Sequence, residues 1–438
     1  MTASGCKEQP GSLTGLRRSG QFASITYLFR RSGRTSSMSS VALLRHRPFQ
    51  FYLWSRSFSR FCSQIAGVAV GWQIYDKTGS AFELGMIGLV QFLPTAVLVF
   101  AAGHAVDRYD RKRVLQLCQL AEGLVAAFLA WGSFAGWLTV PQIFIAMAVL
   151  GVVTAFENPA SSALLPAVVP EGTVQRGTAV ATGIGQIAMV TGPAVGGLTY
   201  AISPATPYAI MAVFWLAAVA LSGAMQVERV AASKEPPTLS DLFAGVGFVR
   251  NSPAILGTIS LDLFAVLLGG AVALLPIYAR DILHTGPLGL GLLRASPAVG
   301  ALMMTAVLAR YSINRRVGMR MFQSVIVFGL ATIVFALSTW LWLSVIAMVI
   351  MGAADTVSVV IRLSLVQLAT PDEMRGRVGA VNFLFINASN QLGQFESGVT
   401  AALMGAMPAA VLGGVGTVLV ALLWMKLFPA LRKVERLE

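Results

Sequence analysis

Apolar runs long enough to cross a bilayer recur along the chain, each closed by charged residues or by Pro/Gly clusters. They predict helices near 49–75, 82–106, 113–136, 141–165, 177–201 and 206–226. After a polar, proline-containing stretch from Val227 to Asp241 they resume near 253–279, 287–310, 317–338, 341–367, 376–401 and 405–428. The pattern therefore predicts an all-α membrane protein of twelve transmembrane helices.

The loops between these runs are unequal. Asp107–Arg113, Arg176, Lys234, Arg250, Arg310–Arg320, Arg375–Arg377 and the tail Lys426–Arg436 fall on one side, whereas the basic residues of the other side amount to little more than Lys77 and Arg280. Basic loops stay in the cytoplasm, which puts the first side and both termini there.

Displacing the sequence against itself exposes a repeat. Pro170-Glu171, Arg176 and Ala179-Val180 fall on Pro371-Asp372, Arg377 and Ala380-Val381, each 201 residues on, as do Gly192, Gly197 and Thr199 on Gly393, Gly398 and Thr400. Tyr75, Gly88 and Pro94 fall on Tyr278, Gly291 and Pro297 at 203. Matches that respect both loop position and orientation imply two parallel, pseudo-symmetric six-helix halves, with a substrate held between them near the midplane. The expected organisation is a disordered basic tail over 1–40, one half over 41–226, a cytoplasmic linker over 227–250, the second half over 251–430 and a cytoplasmic tail over 431–438.

Composition agrees with the pattern. Of 438 residues, 56% are hydrophobic and 12% charged, against roughly 25% charged in soluble domains. A net charge of +13 would raise nucleic acid as a partner in a soluble protein, but here the basic residues sit in short loops between apolar runs, so nucleic acid is set aside. Cys6, Cys62 and Cys118 show no metal or redox spacing, and three scattered histidines make no metal site; no metal or cofactor is expected. The Arg/Ser-rich segment before residue 40 lacks the apolar core of a secretory signal; it resembles an organellar transit peptide less than a cytoplasmic tail, or an extension upstream of a true start at Met38.

The loop after the second run reads Gly103-His-Ala-Val-Asp107-Arg108-Tyr-Asp110-Arg111-Lys112-Arg113. It resembles the loop-2/3 signature of the major facilitator superfamily, with Asp110 where that family has its turn glycine. Gly103 would let two helices approach, and Asp107 would cap the next helix or pair across the halves when the cytoplasmic side is shut. The corresponding loop Ala309-Arg310-Tyr311…Arg315-Arg316 has lost the acid. In the fifth run, Gly192-Pro193-Ala-Val-Gly196-Gly197 looks like the end of the antiporter motif of drug-exporting facilitators; small residues there also suit plain helix packing. Ala69-Val-Gly-Trp72-Gln73-Ile-Tyr75-Asp76, Asn158-Pro159-Ala160, Arg375-Gly376-Arg377-Val378 and Ser389-Asn390-Gln-Leu-Gly393-Gln-Phe-Glu396 resemble the enterobactin-exporter-like, drug–proton antiporter branch. The resemblance covers about residues 41–430 and implies a monomeric, proton-linked exporter of drug-like or siderophore-like amphipathic molecules in a bacterial cytoplasmic membrane. An importer or lipid flippase of the same fold, and a non-transport membrane protein, remain alternatives. No nucleophile–base pair suggests an enzyme, and no Walker loop suggests ATP as the energy source.

Ionisable groups at bilayer depth cost about 2.5–3.5 kcal/mol on insertion scales and point to function. Asp262, Asp355 and Glu396 in the second half, with Glu157 after them, are the proton-coupling candidates; a static ion pair of Asp355 with Arg362 or Arg294 is the rival reading. Arg60, Gln73, Arg362 and Asn390 are the substrate-cavity candidates. Glu122 is expected to be structural, because third helices of this fold lie peripherally.

Overall fold

The computed structural model describes residues 43–227, 239–311, 313, 315–371 and 374–436, and only the backbone of Val99, Phe100, Asp107, residues 239–243 and Ala380. The expected tail 1–40 lies outside the described residues. Six long helices come first: α1 (Arg47–Thr78), α2 (Ala81–Arg108), α3 (Arg111–Ala135), α4 (Val140–Val168), α5 (Val174–Ile202) and α6 (Thr206–Ala224). A helix absent from the hydropathy reading, α7 (Leu239–Asn251), occupies the second part of the linker. Six further helical segments follow: α8 (Pro253–Ile282), α9 (Gly286–Arg310), α10 (Val317–Leu337), α11 (Leu341–Ala369), α12 (Arg375–Met404) and α13 (Ala406–Leu427). A last turn, α14, covers Pro429–Arg432.

Local chemistry explains the boundaries. The α1–α2 turn is made by Gly79 at φ 60°, and by Ser80, whose hydroxyl accepts from the Glu83 amide at 3.3 Å. Thr139 and Gln142 form a reciprocal capping box at the start of α4.

Ten of the helices among the described residues are long and apolar enough to cross a membrane by themselves. The two remaining expected spans, α1 and α12, have the length, at 32 and 30 residues, but not the apolarity. The reason is placement. Both helices carry polar side chains that line cavities: Arg56, Ser57 and Arg60 on α1, Asn382 and Asn390 on α12.

α1 packs on α5 and α6, α2 on α4, and α3 on α4 and α6; α8 packs on α12 and α13, α9 on α11, and α10 on α11 and α13. Two crossings join these sets, α5 with α9 and α2 with α12. Two features depart from the sequence reading. The seventh span is not one regular helix: at Gly269-Gly270 it passes into a 3₁₀ turn (Ala271–Leu274) and ends in a π-turn (Tyr278–Ile282). A side chain at Gly270 would strike the Gly393 carbonyl oxygen of α12 at 2.5 Å, so the break is where two backbones come together. The described C-terminal residues also return to the start of α10. Gly318 N–H donates to Val434 O at 3.0 Å, which satisfies an open amide at the start of α10, and Leu431 is buried.

Candidate functional site

The helix ends near Gly79, Ser203, Thr285 and Gly405 form a sparsely charged end, and there the two helix sets are in contact. A side chain at Gly197 of α5 would run into the Pro287 carbonyl and reach the Gly291 Cα of α9 at 3.0 Å; one at Gly85 of α2 would meet the Gly398 Cα of α12 at 2.9 Å. The Gly-Pro-x-x-Gly-Gly segment serves both kinds of contact: Gly192 and Gly196 face Gln64, Ile65 and Val68 of α1 within one half, while Pro193 O and Gly197 face Gly291 of the other.

A polar clasp reinforces this closure. Arg280 Nη1 of α8 donates to Tyr75 O of α1 at 3.0 Å and lies 3.8 Å from Asp76, its guanidinium stands 5.4 Å from the Tyr75 ring centre, and Tyr75 Oη donates to Asp281. The sequence reading missed the clasp, although charged residues at an otherwise charge-poor end were its signal.

At the basic end the contrast is plain. A side chain at Gly103, Gly183, Gly185, Gly376 or Gly379 would meet nothing within 4 Å. Gly103 thus makes no close approach among the described residues in this state; the approach expected of it belongs to the state in which the cytoplasmic side is shut. α2 runs on through Arg108, and the N-cap of α3 is Asp110, accepting from Lys112 N–H at 2.9 Å. The side chain of Asp107 lies outside the described residues. Lys112 Nζ donates to the Gly223 and Met225 carbonyls at 2.8 and 2.6 Å, Arg111 Nη1 donates to Ala163 O at 3.2 Å, and Arg108 is exposed. Lys112 thus satisfies the open carbonyls that end α6.

Between the two ends lie cavities lined by the intramembrane charges. One, of about 160 Å³, is bounded by Asp262, Asp355, Arg362, Asn382 and Asn390. Asp262 and Arg362 are directly ion-paired and both buried; Asp355, its side chain 46% exposed, lies 3.8 Å from Arg362 Nη2. The structure thus unites Asp262, Asp355, Arg362 and Asn390. Glu396 is not among them: Thr400 Oγ1, one turn along α12, donates to it at 2.9 Å, because it sits too near the sparsely charged end to reach the cavity.

On the other half, a cavity of about 430 Å³ is lined by Arg56, Arg60, Ser57, Thr178, Thr182 and Gln186. Arg60 is open to it, and Arg56 donates to Ser161 Oγ. Gln73 faces neither cavity. It is buried, donating to Ser133 Oγ at 2.9 Å and accepting from Tyr208 Oη at 2.7 Å, so its polar groups are spent on tying α1 to α3 and α6. Arg294, raised in the sequence as a partner for Asp355, instead reaches from α9 to Gly67 O of α1 at 2.8 Å.

Residues 53–394 match the family model described as Major Facilitator Superfamily. Over 408 residues the chain is 24% identical to macrolide efflux protein A of Streptococcus pyogenes, covering 89% of this chain and 97% of that one. It is 25% identical to the enterobactin exporter EntS of Citrobacter koseri, over 92% of this chain and 97% of that one. Among solved structures, the nucleoside transporter NupG superposes with a TM-score of 0.67 at 15% identity, over 87% of this chain and 99% of that one, a likeness of fold.

Proposed function

The chain belongs to the major facilitator superfamily, and from that premise we propose that it exports an amphipathic small molecule by alternating access in exchange for protons. It is a multi-pass membrane transporter of small molecules, not an enzyme. One observation carries the finer reading: the halves meet at the sparsely charged end, through two glycine crossings and the Arg280 clasp, whereas at the basic end side chains at Gly103, Gly183, Gly185, Gly376 and Gly379 would meet nothing within 4 Å. With the basic end in the cytoplasm, as the loop charges require, this is the cytoplasm-open loading state of an exporter. The names of the relatives, a macrolide efflux protein and an enterobactin exporter, support outward transport.

The cleft has walls of unlike charge, Arg56 and Arg60 on one half against Asp262 and Asp355 around Arg362 on the other. Such walls suit a substrate with separated polar groups on an apolar body. Among the acids of the second half, Asp355 is the coupling residue of choice, since it is open to the cavity and only loosely held by Arg362, whereas Asp262 is locked in its pair. Asp107 with Arg108 at the basic end is the gate that shuts the cytoplasmic side. The whole path lies between halves of one chain, which supports a monomeric unit.

The test is purified protein in liposomes under an imposed pH gradient, screened with ethidium, a catecholate siderophore and a lysolipid. Movement of ethidium or siderophore against its gradient, collapsing when the pH gradient is dissipated, is expected. Movement of the lysolipid alone, or transport indifferent to the pH gradient, would overturn the reading.

A further inference from the structure

Two of the three buried side-chain atoms that lack a hydrogen-bond partner among the described residues belong to one cavity: Oε2 of Glu122 and Nε1 of Trp215. This cavity, of about 170 Å³, lies between the halves, apart from the two already described. Gly67 of α1, Gln91 of α2, Glu122 of α3, Arg294 of α9 and Gln391 of α12 line it. Glu122 is 2% exposed, so it is not peripheral: the side chain turns inward from α3.

Buried polar atoms are nearly always satisfied, and a carboxylate at this depth without a counter-charge is costly. Among the described residues Glu122 has no ion-pair partner within 4.0 Å. It faces a second acid instead, Glu157 of α4, with the thiols of Cys62 on α1 and Cys118 on its own helix as further titratable neighbours. From α6 comes only the indole of Trp215. Arg294 is the cation of this cavity; it belongs to the opposite half and is tied to the Gly67 carbonyl. A side chain at Gly67 would overlap the guanidinium where it now sits and displace it.

We propose that Glu122 binds and releases a proton in the transport cycle, and that Arg294 is the charge of the opposite half that answers it. With the sparsely charged end shut, Glu122 holds its proton and Arg294 stays on Gly67 O. Loss of that proton to cleft water leaves a carboxylate beside Glu157, which Arg60 of α1 also faces, and Arg294, the cation lining the cavity, offsets it by leaving Gly67. The departure removes an inter-half bond and favours opening of the sparsely charged end. Protonation from that side restores the Gly67 contact and closes it again. Proton release on one side and uptake on the other are thus tied to opposite states, as exchange requires. This inference rests on the proton-exchange reading, but proton binding at Glu122 is measurable without transport.

The experiment is infrared difference spectroscopy of the purified protein between acid and alkaline conditions, beside ethidium export in liposomes. The wild type should show a protonated-carboxyl C=O band. Glu122→Gln should remove it, and Glu122→Asp should restore it at a shifted frequency. Gradient-driven ethidium export should fall at least tenfold in Glu122→Gln, while ethidium exchange without a gradient persists. A wild-type band in a folded Glu122→Gln protein, or wild-type gradient-driven export by it, would overturn the proposal. If wild-type protein moves no ethidium, proton exchange of that substrate fails, and the infrared band still decides whether Glu122 carries a proton.

Discussion

Asp262 of α8 and Arg362 of α11 form a buried ion pair across the crossing of their helices, and Asp355 stands 3.8 Å away with nearly half of its side chain open to the cavity. Two acids on one arginine are thereby divided in role. Asp262→Asn leaves Arg362 with its weaker partner only and should cost about 2–4 kcal/mol in stability. Asp355→Asn should cost less than about 1 kcal/mol, since an exposed charge pair contributes little. Thermal unfolding in detergent reads the difference; equal losses would mean that the two acids are equivalent.

The glycine crossing makes a sharper demand. Gly197→Val would force atoms into the Pro287 carbonyl only while the sparsely charged end is shut. Overpacking of about 1–3 kcal/mol should then fall on that state alone and shift the conformational balance by roughly ten- to a hundredfold. Spin labels at Thr78 and Leu283 should report a longer distance. Gly183→Val, on the same helix but facing open space, is the control and should leave the distance unchanged.

The Arg280 clasp is half exposed, with side-chain exposures of 39% for Arg280 and 56% for Asp76. Its contribution is therefore small, about 0–1 kcal/mol. Arg280→Gln should move the same label distance in the same direction as Gly197→Val, by a shift of about fivefold or less, and high salt should mimic it. A shift as large as that of Gly197→Val would mean that the clasp, not the packing, holds the closure.

The residues of the basic loop separate into two jobs. Lys112→Met removes two hydrogen bonds to the end of α6 and should lower stability by about 0.5–1 kcal/mol with turnover of the folded protein intact. Asp107→Asn should do the reverse, slowing turnover without loss of expression or melting temperature. Unchanged transport in Asp107→Asn would reduce the loop to a topological signal.

Orientation is open to direct labelling. Cysteines at Ser80, Pro204 and Thr285 should react with an impermeant maleimide added to intact cells, and one at Tyr109 should not. Labelling at Tyr109 from outside would invert the assignment and turn the proposed loading state into a releasing one.

What the sequence determined by itself was set by interactions local along the chain or with the solvent. Span positions follow from apolar runs, and the charge of each loop supplies the orientation that labelling is expected to find. The small residues at Gly192, Gly196 and Gly197 marked a packing surface before any partner was known. Even the repeat was legible: Gly291 and Gly398, the mates of Gly88 and Gly197, both lie at crossings between the halves. What the tertiary structure decided was which polar groups find each other. Asp262, Glu396 and Glu122 look alike in sequence, each an acid in an apolar run. One is paired by an arginine a hundred residues away, one is held by a threonine of its own helix, and one is left facing a second acid in a cavity closed by the opposite half. Gln73 failed as a cavity residue for the same reason, since Ser133 and Tyr208 come from two other helices. Helix rotation and crossing point fix these partners, and neither is encoded within a few residues of the side chain concerned. Inside a bilayer, where an unpaired charge has no water to turn to, that choice of partner separates structural acids from working ones.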